Sequence, residues 1–260
     1  MTSTTNEPIT LTFNEFEQKV IERVLLLHAP AKHAARSALR HLERAWRLSD
    51  EMPELSMFLA ITAEEESASA LFHALCGRGY DGSEKLKIRN HLQKTALHPF
   101  LLAVGKLFAE FIDIYSPSFE FNSNDGPELL RLKLRVTEGA DKILHIYPLP
   151  PLDFSVSVNE VVHQFEQQLL QLATEKNASS IFEYVKKLAN RRNLALYASP
   201  NGIPHLDGGA SAFLVYRKTV IFTHFLAILL IDPYPQKQKF VQQALTAFLN
   251  MLKLLPEEKI

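Results

Sequence analysis

The stretch that decides the fold runs from Arg40 to Leu75 and reads RHLERAWRLSDEMPELSMFLAITAEEESASALFHAL. It contains the end of one helical pattern, a short polar break at 49–53, and a second, largely apolar helix expected from about Glu54 to Leu75. The Gly77-Arg78-Gly79 sequence then stops the second helix, because glycine disfavours helix continuation. This arrangement of helices separated by short breaks predicts how the rest of the chain is organised.

Helical periodicity extends outward in both directions. Between Phe13 and His28 the apolar residues are spaced by 3, 4, 4 and 3 positions, which places them on one helical face. Only nine of the 260 residues are glycine and few runs alternate apolar with polar residues, so a sheet protein is not expected. We therefore predict an all-α bundle or array of about ten helices. The expected helices after the first are 31–48, 54–75, one ending near 92, 100–114, 128–146, 158–174, 179–196, 212–231 and 235–254, with exposed loops at 115–127 and 199–209.

The firmest interruption of these helices is YPLPPLD at 147–153, which contains three prolines. It is compatible with a single helical domain over 1–260 and with a two-part organisation divided at this break.

Composition narrows the function classes. The chain is 47% hydrophobic and 22% charged with a net charge of −1, which is typical of a folded globular protein without an overall basic excess. Any nucleic-acid contact must therefore come from a local patch. Cys76 is the one cysteine, so an internal disulfide and a cysteine zinc site are excluded, and we expect Cys76 to be a small buried residue.

Neither the N-terminus nor the most apolar run indicates export or a membrane. The first residues lack a basic and an apolar region of the kind found in secretory signals. The run from Val220 to Ile231 is interrupted by His224, and its 12 residues fall short of the roughly 20 that cross a bilayer. We expect a cytoplasmic protein with no membrane contact.

A cationic stripe lies on the second predicted helix. Its five residues are spaced by 4, 4, 4 and 3 positions and so share one face: Lys32, Arg36, Arg40, Arg44 and Arg47. Such a stripe can neutralise the phosphates of a nucleic-acid backbone. The alternative is a solvated helix face, partly balanced by Glu43 and Asp50.

An acidic triplet, Glu64-Glu65-Glu66, interrupts the apolar third helix. Consecutive helical residues point about 100° apart, so at least one carboxylate must face a neighbouring helix and needs a partner there. The partner could be an arginine, a histidine or a metal. The Glu-x-x-His pairs that di-metal bundles use do not follow the triplet, so no metal site is predicted.

Two further groups could supply that partner or bind phosphate. His91, Lys94 and His98 are spaced by 3 and 4 positions and share a face, where they either meet a carboxylate or solvate a helix end. Near the end of another helix, the run from Arg191 to Tyr197 combines arginine, asparagine and a phenol. These groups can converge on a phosphate, or they can form an arginine–carboxylate latch with the tyrosine over the core.

The run from Arg40 to Leu75 resembles the start of AbiV-like abortive-infection proteins, which belong to the HEPN group of helical domains. The family reads roughly A-L-A-x-x-A-x-E-E-x-G-K-A on its second helix. The matching residues here are Ala60, Ala63, Glu65, Glu66 and Ala70, while Ala68 and Ser69 replace the Gly-Lys pair. His91 and Lys94 resemble the family's His-Lys cluster, and Arg192 with Leu196-Tyr197 resembles its later arginine and Leu-Tyr pair.

The resemblance implies a protein of bacterial phage defence or of toxin type, without a cofactor. It would act on or bind RNA or the translation machinery, as a homodimer. HEPN ribonucleases are metal-independent and use an Arg-x(4–6)-His motif. Here Arg192-Asn193 fits the start of the motif, but Tyr197 stands where histidine is expected, and Arg36 to His41 has the spacing at another place. Catalysis therefore stays open.

The residues that this hypothesis assigns fall into two sets. Arg192, Asn193 and Tyr197 would bind phosphate, Glu65 and Glu66 would orient them, and His91 would be the acid–base group. RNA would also bind to Arg36, Arg40, Arg44, Arg47 and Arg191. The alternatives are a non-catalytic module that binds protein or nucleic acid through the Arg36–Arg47 face or the 197–209 loop, and, ranked last, a helical metal-carboxylate enzyme.

Overall fold

The computed structural model describes residues 10–110, 116–123, 127–138, 142–158, 160–174 and 210–254. This part of the chain is mainly helical and contains seven α-helices, against about ten predicted for the whole chain. It also contains a three-stranded sheet and a two-stranded one, so the prediction of an all-α fold is wrong in this respect. The helix predicted over 179–196 and the loop predicted over 199–209 lie outside the described residues.

The first two helices follow their sequence patterns. Helix α1, Glu15–Val24, begins with a capping box, since the Asn14 side chain accepts a hydrogen bond from Glu17 N and the Glu17 side chain accepts one from Asn14 N. Helix α2, Ala31–Arg47, buries Ala35, Leu42 and four other apolar residues after its first turn. Its arginines lie on the opposite, exposed side.

Helix α3, Pro53–Gly77, is the centre of the protein and is buried on most of its circumference. It packs against α2, and the Ser56 hydroxyl donates to the Ala45 carbonyl across that contact at 2.6 Å. After α3 the chain turns through Gly82, whose φ of +87° is the left-handed conformation that favours glycine. A short 3₁₀ turn, Ser83–Lys85, follows. Cys76 is exposed at the end of α3, so the expectation that it is buried is wrong.

Helix α4, His91–Ala109, is continuous through Pro99, where two separate helices were predicted. Proline removes one backbone donor, but the helix is capped by Asn90 and buries Leu97 and Phe100 on either side of the proline. Packing on both sides therefore keeps the helix in one piece.

The segment predicted to be a loop and then a helix, 115–146, instead contains the sheet. Strands β1 (Ser118–Asn122), β2 (Leu129–Glu138) and β3 (Lys142–Ile146) are antiparallel in the order β1-β2-β3. In β2 the apolar side chains alternate with arginine and lysine, which is the period of a strand. Leu130 and Leu132 are both about 1% exposed and attach the sheet to the helical core.

The remaining elements complete the helical body. Two short antiparallel strands, β4 (Ser157–Val158) and β5 (Val161–Val162), precede helix α5, Phe165–Thr174, so the helix predicted from 158 starts later. Helices α6 (Ala210–Leu229) and α7 (Lys239–Lys253) follow. Helix α6 packs mainly on α3.

The proline-rich segment is held against the connection between α6 and α7. Leu152 N donates to the Gln238 side-chain oxygen at 2.6 Å, and Gln238 Nε2 donates to the Leu230 carbonyl at 2.7 Å. The Tyr80 hydroxyl accepts from Gln238 N at 3.0 Å, so one buried glutamine joins three parts of the chain. Whether the chain also divides at 147–153 stays a prediction.

Among the described residues, one helix is long and apolar enough to cross a membrane by length and composition alone. It is Ser211–Leu229, within α6, with a mean hydropathy of 1.5 and half of that window buried inside the protein. The argument from the 12-residue run at 220–231 therefore fails, because the helix starts well before it. The absence of membrane contact stays a prediction.

Candidate functional site

The candidate site is a cluster of polar and ionisable side chains where α3, α4 and α6 meet. We call it the polar cluster. It consists of Glu64, Glu65 and Ser67 on α3, His91, Lys94 and His98 on α4, and Arg217 and His224 on α6. Buried ionisable groups are uncommon unless they are paired, so this concentration within an apolar core sets the region apart.

The periodicity of α3 divides the acidic triplet among its neighbours. Glu64 and Ser67, three residues apart, both face α6. Glu65 lies about 100° further round the helix and faces α4. Glu66 is half-buried, and its charge acts on His41 of α2 and on His73. The structure therefore brings Glu64 and Glu65 to the cluster and places Glu66 elsewhere.

Glu64 and Arg217 form an ion pair in which both side chains are nearly inaccessible to solvent. The guanidinium also lies over the rings of Phe213 and Tyr216, at 4.7 and 5.1 Å from their centroids. Burial raises the pKa of Glu64 above its usual value, against the opposing attraction of Arg217. The pair thus fixes a cation in a low-dielectric position.

Glu65 meets the histidine and the lysine of α4 that share its side of the cluster. Its carboxylate oxygen is 2.8 Å from His91 Nδ1 and 3.6 Å from Lys94 Nζ. Lys94 and Glu65 are both about 7% exposed, while His91 is half exposed at the edge of the cluster. Glu65 and His91 are the two predicted catalytic residues that the described part of the chain brings into contact.

His224 contacts α3 through Ser67. The Ser67 hydroxyl donates to the Glu64 carbonyl at 2.7 Å, and the same oxygen lies 2.7 Å from His224 Nδ1. Because the hydroxyl proton is already directed at the carbonyl, Nδ1 of His224 is assigned as the donor to Ser67. The other ring nitrogen, Nε2, is then unprotonated, and it is buried without a hydrogen bond from any described residue.

His98, the other buried histidine of the polar cluster, has no hydrogen bond at either ring nitrogen within the described residues. Its ring centroid lies 6.1 Å from that of His224 and 5.8 Å from that of Tyr216. Burial, with the charge of Arg217 as a smaller cause, lowers the pKa of His98 to about 4. Burial, followed by His98, also lowers the pKa of His224 well below its usual value. Both imidazoles are neutral at pH 7.

The sequence interpretation missed Arg217 and His224, although a signal was present. Six residues separate them, which fits the Arg-x(4–6)-His spacing, and their separation of seven places them on one face of α6. In the sequence pattern His224 stands out only as an interruption of an apolar run. The residues that the resemblance assigns instead, Arg191, Arg192, Asn193 and Tyr197, lie outside the described residues.

The cationic stripe lies on the exposed side of α2. Arg36, Arg40, Arg44 and Arg47 are exposed, and Lys32 is half-buried. None of the four arginines forms an ion pair with a described residue. Glu43 is exposed on the same helix and reduces the local positive charge. The stripe is a surface that phosphate groups can reach, whereas the polar cluster is enclosed.

Two further observations bear on the chemistry of the site: the arrangement of metal-binding side chains and the similarity to known proteins. Among the described residues, no group of three or more histidine, cysteine, aspartate or glutamate side chains is arranged to hold a metal ion. A search of known proteins found no matching family model, no similar curated protein and no similar solved structure.

Proposed function

We propose that this chain is a HEPN-like helical protein of bacterial defence or toxin type, similar to AbiV, and that it acts on RNA through the polar cluster. The observation that supports this best is the pairing of Arg217 and His224 on one face of α6, opposite Glu64 and Ser67 of α3. The proposal extends to a cytoplasmic homodimer whose partner is RNA or the translation machinery.

The cluster contains the groups that metal-independent RNA cleavage needs. Cleavage by an adjacent 2′-hydroxyl requires a base to remove its proton, an acid for the leaving oxygen, and a cation beside the phosphate. In the proposal, the unprotonated Nε2 of His224 is the base and the Arg217 guanidinium binds the phosphate. His91, paired with Glu65, is the group at the cluster's edge that can give a proton to the leaving oxygen.

Burial of the cluster implies a resting state. Arg217 and His224 are 2% and 0% exposed, so RNA reaches them only after α4 and α6 separate. The Glu64 carboxylate is paired with the Arg217 guanidinium, which would otherwise be available to bind phosphate. In the proposal, cleavage proceeds from the fraction of the protein in which these helices have opened, and Glu64 is then the group that a phosphate displaces.

RNA cleavage tests the proposal directly. Purified protein is incubated with total RNA in the presence of EDTA. In a parallel experiment, the growth of bacteria that express the protein is followed. Both measurements compare His224→Gln and Arg217→Lys with the wild type. We expect cleavage and growth arrest by the wild type and a loss of at least 100-fold in His224→Gln, since one acid–base group contributes about 10²–10⁴-fold. His33→Gln, which changes an exposed histidine of α2, is the matched control.

Further variants separate the two candidate sites. Arg192→Ala removes the arginine that the sequence pattern favours, and Glu65→Ala removes the partner of His91. Activity that survives His224→Gln but disappears in Arg192→Ala would move the site away from α6. Wild-type protein that neither cleaves RNA nor arrests growth would contradict the enzymatic proposal.

The second candidate function is non-catalytic nucleic-acid binding by α2. The exposure of Arg36, Arg40, Arg44 and Arg47, without ion pairs to described residues, favours it. RNA binding that weakens with salt and with loss of Arg40 and Arg44, in the absence of cleavage, would support this alternative. The metal-carboxylate enzyme gains no support from the described residues and is not proposed.

A further inference from the structure

A cavity of about 380 Å³ lies between α3, α4, α6 and α7. It shares helices with the polar cluster, and two of its lining residues, Leu97 and Thr223, directly precede His98 and His224. The cavity is nevertheless separate, because none of the charged residues of the polar cluster lines it. A ligand bound in this cavity would not depend on the proposed function of the cluster.

The walls of the cavity are apolar on every side that the described residues form. Phe72 of α3, Phe100 and Phe108 of α4, and Phe248 of α7 contribute rings, and leucines, valines and alanines contribute most of the rest. Thr223 supplies the one hydroxyl among the lining residues, and that hydroxyl already donates to the Thr219 carbonyl at 2.9 Å. A charged or strongly polar ligand would lose its hydration here without finding partners.

The volume is that of a ligand site and exceeds ordinary packing defects. Protein interiors contain few voids larger than a water molecule, and small-molecule sites begin at roughly 300 Å³. An engineered apolar cavity of about 150 Å³ binds benzene. A cavity of about 380 Å³ is about two and a half times as large and on the same scale accommodates about fifteen carbon atoms.

The exposed residues of the lining mark the mouth of the cavity; they are Gly105 and Ala109 of α4 and Phe119 of β1. Leu101, Phe108 and Leu226 line the cavity and are half-buried, while Gly105 is exposed. A Cβ built on Gly105 would meet no atom within 4 Å, so the glycine leaves open space where any other residue would project a side chain. A chain-like ligand could enter here with its polar end in solvent.

We propose that this cavity binds a single hydrocarbon chain of up to about fifteen carbon atoms, carried by a fatty alcohol or fatty acid. Apolar walls from four helices recognise the chain, and the ligand's polar end stays at the mouth near Gly105. The size estimate comes from comparison with the cavity that holds benzene.

The test is a fluorescence titration with the uncharged probe N-phenyl-1-naphthylamine on the full chain. We expect saturable binding of one probe per chain and displacement by 1-decanol. A second displacement experiment with decanoate distinguishes a fatty acid from a fatty alcohol as the ligand. Displacement by both ligands shows that a carboxylate is tolerated at the mouth, and displacement by decanol alone assigns an uncharged ligand.

Variants place the probe in the cavity. Gly105→Phe fills the mouth and should weaken probe binding at least tenfold, whereas Gly77→Phe, at a helical glycine that also has open space but does not line the cavity, should leave binding unchanged. Ala227→Phe projects a ring from α6 into the same space. This variant replaces Gly105→Phe in the test if circular dichroism shows that Gly105→Phe is unfolded. Absence of saturable binding to the wild type, or wild-type affinity in both cavity variants, would overturn the inference.

Discussion

Glu64 of α3 and Arg217 of α6 form an ion pair whose carboxylate and guanidinium side chains are 1% and 3% exposed. The two residues are 153 positions apart in the chain. The pair therefore fixes the largely buried α3 against α6, the most apolar of the described helices in the C-terminal half. The effect of this ion pair on the free energy of unfolding depends on whether both charges are present.

Removing one charge of this pair should destabilise the protein strongly. Glu64→Gln removes the carboxylate that is paired with the buried Arg217 cation, and we expect a loss of about 3–5 kcal/mol in the free energy of unfolding. Urea denaturation measures it. The double variant Glu64→Leu/Arg217→Met should recover most of that loss, because apolar residues of similar size replace buried ion pairs at little cost. Glu66→Gln, on the half-buried neighbour, should change stability by less than about 1 kcal/mol.

The contribution of His98 should lower the stability of the protein as the pH decreases from about 6.5 to about 4. Folded His98 takes up a proton only near pH 4, whereas an unfolded histidine does so near 6.5. Between these values the unfolded chain holds more protons, so lower pH favours unfolding by up to about 1.4 kcal/mol per pH unit. The lowered pKa of His224 acts in the same direction.

The variant His98→Phe should flatten this pH dependence, since phenylalanine removes the titrating group. The midpoint of urea unfolding at pH 7 and pH 5 measures the difference. His33→Phe, at an exposed histidine, is the control and should keep the wild-type slope. An unchanged slope in His98→Phe would contradict the assignment.

Gln238 should be one of the most sensitive polar residues in the core. Its side chain accepts from Leu152 N and donates to the Leu230 carbonyl, and the residue is 0% exposed. Gln238→Leu leaves both backbone groups unsatisfied, and each buried unsatisfied group costs about 1–3 kcal/mol. We expect a loss of about 2–5 kcal/mol by urea denaturation. Gln236→Leu, two residues earlier and exposed, should have little effect.

The exposed arginines of α2 should determine how RNA binding depends on salt. The double variant Arg40→Ala/Arg44→Ala removes two of the arginines that the second candidate function assigns to phosphate, and the slope of log K against log salt should become shallower by about 0.7 per contact on single-stranded RNA. Fluorescence anisotropy at several salt concentrations measures it. Lys239→Ala/Lys253→Ala removes the same charge from the exposed side of α7 and should leave the slope unchanged.

The helices were predictable where the apolar spacing is local. Helix α3 was expected over 54–75 and runs from Pro53 to Gly77, because the breaks on either side are made by polar residues, proline and glycine. The strands were mispredicted although β2 reads Leu-Arg-Leu-Lys-Leu-Arg-Val from Leu130. Leucine, arginine and lysine are good helix formers, and that propensity obscured the alternation that packs Leu130 and Leu132 inward.

The candidate site was predictable only in part, for a related reason. The geometry of a helix requires one residue of the acidic triplet to face a neighbour, and the shared face of His91 and Lys94 suggested where Glu65 would find it. No local sequence pattern predicts that Arg217 pairs with Glu64, because a contact between distant parts of the chain depends on how whole helices pack. Spacing within α6 was the one usable signal.

The wide separation of Glu64 and Arg217 has a consequence during synthesis. The ribosome releases α3 long before α6, and at about 5–20 residues per second the 153 residues from Glu64 to Arg217 take about 8–30 s. Throughout that interval the nascent helix α3 carries the Glu64 carboxylate before its partner Arg217 has been synthesised. The core around Glu64 therefore closes late, and a truncated chain that ends before α6 leaves that surface exposed to chaperones and proteases.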